Sequence, residues 1–413
     1  VAIGVDAMAA NTTGNQNVAV GGLALDANTT GIYHVAIGHL ALSTNTTASR
    51  NIAVGHSALR FNTTGANNVA LGVNCLSANT TANDNVAVGY LCMEDNQTGT
   101  KNSAYGTNCM YQNTTGSRNC AYGNEALGEN TTGDYNCALG KAALYTNTTG
   151  NNNTAFGAGA LFTNNANDNV AIGYDAGKAI TTGTQCVAIG KDALLVSTSS
   201  NSNTAIGYAS QAWSTGGDNV SIGHEALRGA ASNNVATGGR NVAIGRGSME
   251  DSNGNGYRNT AVGYHTLRNG TTCYENTCLG YTSGDNITTG ARNVTIGAGA
   301  DTSANNVNYE IVIGYNIVGK GESTGFISPG GGSVYQGNNS STWNTTSDIR
   351  IKKNVVDNNT GLDKLKQIQV RNFEYKTKEE IVESSPELTD IAKSVVVEQE
   401  GTQLGVIAQE IEK

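Results

Sequence analysis

The chain has 413 residues, a net charge of −9, 14% charged and 6% aromatic residues, 53 glycines and 2 prolines. Charge far below the quarter usual in globular domains, and glycine without a three-residue period, exclude collagen and argue against one thick core; they suit a thin, repetitive β structure. No lysine–arginine run offers a phosphate footprint and no 18-residue apolar window exists, so neither nucleic acid nor membrane insertion is expected.

The chain opens at Val1 inside a repeat unit, with neither methionine nor signal peptide, which reads as the start of a fragment. The unit is "NVAIGxxALxxNTTGxx". Its strand-ending glycine falls at Gly4, Gly21, Gly38, Gly55, Gly72, Gly89, Gly106, Gly123, Gly140 and Gly157, every step 17 residues. It continues to Gly314 with steps between 16 and 22, nineteen units in all. Constant spacing gives each residue an equivalent in the next unit, so the units stack as rungs. Each rung reads as a short strand, a second strand or bend, and an Asn-Thr-Thr-Gly corner whose glycine is expected to take positive φ. Nineteen rungs at ~4.8 Å make a rod on the order of 90 Å.

Within "VAIG" side chains alternate, so Val18 and Val20 face one way and Ala19 the other. A second apolar column, Met8, Leu25, Leu42 and their equivalents, stands four residues after the glycine. A few aliphatic side chains per rung fall short of the entropy of ordering it, so a further burial surface is expected. The alanine column supplies it in this reading: Ala2, Ala19, Ala36, Ala53, Ala70, Ala87, Ala104, Ala121, Ala138 and Ala155 form an intersubunit seam, and a homotrimer closes the rod.

The "NVAVGxxAL" pattern of residues 1–314 resembles the repeat of trimeric autotransporter adhesin heads. That resemblance implies a left-handed parallel β-roll assembled as a trimer. The 17-residue period and the regular "NTTG" corner depart from those heads, whose rungs are usually shorter.

Residues 315–346 lose the period and read as a Gly/Ser/Asn-rich connector. From Ser347 charge rises: 23 charged residues in the last 67, against 34 in the preceding 346. "SDIRIKKNV", "GLDKLKQIQVRNFEYK" and "GVIAQEIEK" follow in order. They resemble the endosialidase-type intramolecular chaperone domain at the ends of phage tail fibres and tailspikes. The resemblance implies a small α+β domain over 347–413, incomplete at its C-terminus. It also implies trimerisation of the preceding β-rod, then cleavage of the Thr346–Ser347 bond with Ser347 as nucleophile and Lys352 as general base. A lysine serves as base once burial lowers its pKa. Five residues apart on one strand the pair would face opposite sides, so the strand must break or the two must meet across chains.

Eight cysteines form no C-x-x-C pair. Cys75, Cys92 and Cys109 share a column otherwise held by alanine and read as small buried hydrophobes; no metal or cofactor is expected. Nine corner asparagines, from Asn11 to Asn147, form N-x-T sequons in register. They read as a hydrogen-bonded ladder rather than as glycan acceptors. The residue after the strand glycine is often His or Tyr, as at His39, His56, Tyr90 and Tyr174, an exposed face. The enlarged step between Gly223 and Gly245 is a loop and a candidate binding feature.

The reading is an all-β protein: a parallel β-solenoid of about nineteen 17-residue rungs, a homotrimeric rod, followed by the chaperone domain. Its function is that of a virion tail fibre or tailspike with no turnover activity, partnered by the rest of the tail and by a host-surface glycan or protein receptor. A bacterial cell-surface trimeric adhesin ranks second, since that class ends in a membrane-anchoring β-barrel that is not read here. A eukaryotic virus fibre or a polysaccharide-degrading spike follows.

Overall fold

The computed structural model describes residues 1–229, 237–251, 256–330, 332–337, 343–345, 371–373, 380 and 403–405. By internal contacts the chain divides into two units, Val1–Thr346 and Ser347–Lys413.

The first unit is a parallel β-solenoid. Nineteen strands run from β1 (Ala2–Ile3) to β19 (Ile311–Gly314), one per turn of the coil, almost all three residues long. Each pairs in parallel with its equivalent one turn on, as in Val18↔Val35, Ala19↔Ala36 and Val20↔Ile37. The shortened and lengthened steps keep that register, so Ser221 still opposes Ala243 across the 22-residue step. Among the described residues the rest of each turn is mostly bend and tight turn; in place of a second strand the later turns form only isolated parallel bridges, as in Tyr257↔Tyr274 and Ala291↔Asn308.

The strand-ending glycine is fixed by two demands at once. At Gly140 φ is +138°, and a Cβ would sit 2.6 Å from both the carbonyl carbon and the oxygen of Gly157 one turn above. The corner glycine differs from expectation. It does not take positive φ; it is small because the corners stack closely, and Ala48 and Ala82 occupy the same place, both buried. Left-handed backbone falls elsewhere in the turn, mostly on non-glycine residues, including the buried leucine or methionine of most turns, such as Leu25 (φ 53°) and Leu42 (φ 52°).

The interior reverses one sequence-based expectation. Ala19, Ala36, Ala53, Ala70, Ala87, Ala104, Ala121, Ala138 and Ala155 are 0% exposed within the single chain. They pack against the alanine or cysteine and the leucine or methionine that follow the strand glycine. Ala2 is exposed only because the first turn has none beneath it. These side chains therefore line the inside of the coil and form no seam between subunits. The coil's narrow section requires them to be small: in a turn such as that of Ala19, Ala24 and Leu25, two methyls and one leucine fill it.

Two asparagine columns run along the coil. The corner asparagines form the expected ladder: Asn79 Nδ2 donates to Asn62 Oδ1 at 2.7 Å and to the Ala82 carbonyl at 3.2 Å, and Asn96 Nδ2 donates to Asn79 Oδ1 at 3.0 Å. From Asn28 to Asn147 they are 0% exposed, so the folded coil offers none of them for glycan attachment. The second column is the asparagine before most strands, with Cys186 and Glu310 in the same place before β12 (Val187–Ile189) and β19. Asn68 Oδ1 accepts the Asn85 N–H at 3.0 Å, and Asn68 Nδ2 donates to the Ala82 carbonyl at 2.8 Å. His34 substitutes in this column: Nδ1 accepts the Asn51 N–H and Nε2 donates to the Ala48 carbonyl. Burial lowers its pKa, which favours that neutral form.

The connector belongs to this unit. After β19 comes β20 (Gly325–Ser328), still parallel. Then β21 (Val334–Gln336) and β22 (Trp343–Thr345) reverse direction and add antiparallel strands. The interior widens towards this end: Cys278, Thr295, Val312 and Phe326 succeed one another in the alanine register. In the second unit β23 (Arg371–Phe373) pairs antiparallel with β24 (Gln403–Gly405). The helices expected there lie outside the described residues.

Candidate functional site

With alanine inward, the flanking strand positions face out. Ile3, Ile37, Leu71, Leu139, Phe156, Ile172, Ile222, Leu279 and Ile311 are exposed, Leu139 by half its surface. Tyr105 and Tyr122 join this row with rings stacked at 4.5 Å. No strand from β1 to β19 carries a charged residue. The result is an apolar stripe that continues from turn to turn. Isolated soluble proteins rarely leave a contiguous patch of this kind uncovered.

A second exposed column is the residue after the strand glycine. His39 stacks on His56 at 5.5 Å and Tyr264 on Tyr281 at 5.2 Å, while the Lys191 ammonium lies over the rings of Tyr174 and Tyr208. This is the face expected from sequence.

The cysteines are free thiols. The Sγ of Cys75 donates to the Ala87 carbonyl at 3.2 Å, and Cys92 and Cys109 repeat the contact one and two turns on. Burial pushes Cys273 and Cys278 up to about 12. The Cys92 thiol, and then burial, raise Cys109 well above its ordinary value. Such thiols are packing groups, not nucleophiles. Among the described residues no cluster of His, Cys, Asp and Glu could hold a metal ion.

Thr346, Ser347 and Lys352, the expected cleavage site, lie outside the described residues; so do residues 230–236 of the enlarged loop. The boundary between the two units falls between Thr346 and Ser347.

Residues 347–413 match the family model described as chaperone of endosialidase. No curated protein matches the chain. The molecule is thus a β-solenoid followed by an intramolecular-chaperone segment. Those two parts together fit a phage tail fibre or tailspike that carries its own chaperone domain.

Sequence reasoning found the period, the corner ladder and the chaperone segment. It missed the outward stripe, although the stripe's composition signals it. Those positions accept Ser103, Tyr105, Thr154 and Phe156, a range of sizes that only an outer surface tolerates.

Proposed function

We propose that the chain is one subunit of a homotrimeric phage tail-fibre or tailspike shaft, located on the virion and contacting the host surface. The C-terminal segment aligns three chains and is then released at Thr346–Ser347. The observation that carries this reading is the chaperone segment that follows a coil of nineteen turns whose outer stripe carries no charge and is mostly apolar. Three stripes turned toward a common axis bury the surface that one chain leaves wet, and closed threefold symmetry leaves no free end to the contact. The shaft then supplies reach, and its remaining faces are free for a receptor.

Cleavage uses the Ser347 hydroxyl as nucleophile on the Thr346 carbonyl. Lys352 takes the proton and returns it to the leaving amine; water hydrolyses the resulting ester. Intact-mass analysis of wild type and Ser347→Ala tests the step. Wild type should release a fragment of about 7 kDa, the share of 67 residues in a 42.5 kDa chain, and the variant should not. If wild type stays whole, release at this bond is wrong while the shaft assignment stands.

A further inference from the structure

Five residues after the strand glycine, successive turns carry Glu94, Tyr111, Gly128, Tyr145 and Phe162. Gly128 therefore interrupts an aromatic column. The Tyr145 ring leans over the vacancy: a Cβ on Gly128 would lie 2.9 Å from it. Behind, Tyr145 is braced by Phe162, with ring centroids 5.3 Å apart and 22° between planes. The missing side chain leaves a notch of about 270 Å³, lined among others by Asn108, Tyr111, Glu125, Glu129 and Tyr145.

Three properties define what this notch would hold. It offers aromatic walls on two sides, one of them fixed in place by a second ring. It is rich in acceptors: the carboxylates of Glu125 and Glu129 line it, and the buried Oδ1 of Asn108 has no hydrogen-bond partner. An unpaired buried acceptor is costly, so a ligand hydroxyl that reached it would recover that cost. It is also negative, since no basic residue lines it. Burial, and then the carboxylates of Glu129 and Glu125, raise the Tyr145 phenol above its ordinary value and keep it a donor.

We propose that the notch binds a single ring of a neutral or amino sugar within a surface glycan. The ring's C–H face stacks on Tyr145 while its hydroxyls donate to Glu125, Glu129 and Asn108. Sugars that carry a carboxylate are rejected, because the site pairs no cation with them and already holds two like charges. The volume lies just under the ~300–1,000 Å³ of sites for larger ligands, which limits the site to one ring. Three copies on a trimer convert weak contacts into avidity. This inference rests on the host-contact reading above.

The test is ligand-observed NMR on the full chain with methyl glycosides of glucose, galactose, N-acetylglucosamine and glucosamine, and of glucuronic and N-acetylneuraminic acid. Each is used at about 10 mM, suited to millimolar affinity. Wild type should bind at least one neutral or amino glycoside and neither acidic one. Gly128→Tyr, which fills the notch with a residue the column already holds on both sides, should weaken binding about 10-fold or more. Glu129→Gln, which keeps the shape, should weaken amino sugars more than neutral ones. Melting curves confirm that the variants fold. The proposal is overturned if no neutral or amino glycoside binds, if acidic glycosides bind as well, or if Gly128→Tyr binds like wild type. Adsorption to bacterial envelope fractions separates the two levels. Equal retention of wild type and Gly128→Tyr sinks the notch and leaves host contact standing. No retention of wild type by any envelope sinks host contact itself.

Discussion

At the scale of the residue, the coil depends on positions that tolerate one side chain. Gly140 needs both positive φ and the absence of a Cβ, because Gly157's carbonyl lies where that carbon would go. Gly140→Ala should cost about 3 kcal/mol or more in urea unfolding, combining left-handed strain with a backbone clash. Gly116→Ala also brings a Cβ against the Gly133 carbonyl oxygen, at 2.6 Å, and against the Asn113 and Asn130 side chains, but its φ is not left-handed and Ala48 and Ala82 are native at equivalent corners, so it should cost less. Equal costs would show that the two glycine columns do the same work. Asp301 is a second sensitive residue. Burial pushes its carboxyl up to about 6 from 3.8, against hydrogen bonds from the Thr302 and Asn286 N–H groups. Its folded pKa is raised, so its contribution to stability is full below pH 3.8 and is lost as pH rises to about 6. Relative to Asp301→Asn, wild type should lose about 2 kcal/mol between pH 4 and pH 7 once solvent screening is allowed for. Parallel pH profiles would refute this.

At the scale of the element, each turn is held to the next by side chains as well as by strand pairing. Asn79 both gives and accepts within its ladder, whereas Asn147 ends it. The next step is 16 residues, and Asn147 Oδ1 is left without a partner. Asn79→Ala should therefore cost about 2–3 kcal/mol by stranding buried groups on both sides, and Asn147→Ala about 1 kcal/mol less. A reversed order would mean that the ladder adds no stability. The repeat made this architecture legible. A 17-residue period fixes which residues stack, and Asn-Thr-Thr-Gly marks the corner. What it did not fix was which side of a three-residue strand faces inward. Val18, Ala19 and Val20 are all apolar, and alternation alone is satisfied either way. Cross-section decides: a coil this narrow has room for the methyl of Ala19 beside Leu25, and not for two valines. Compensation along the interior follows the same rule. Where Thr295 and Cys278 replace alanine, Gly284 stands in the leucine position; a Cβ there would meet both side chains. The notch at Gly128 was equally hidden, because an absent side chain matters only once its neighbours are known.

At the scale of the whole molecule, burial inside one coil and exposure along its outer stripe have different consequences. The alanine interior is complete within a single chain, so each chain can wind on its own scaffold. The stripe is what three chains would share, and the chaperone segment at residues 347–413 would bring them into register. In the proposed trimer, assembly would rest on Leu139 and its equivalents, not on Ala138, which is buried within its own chain. The most direct measurement is the mass in solution of the Ser347→Ala chain, kept whole, by light scattering after size exclusion. It should be three times the 42.5 kDa of one chain. Leu139→Asp combined with Ile172→Asp should lower it towards one chain without loss of β structure. A mass of 42.5 kDa for Ser347→Ala itself, with the stripe intact and uncovered, would contradict the account.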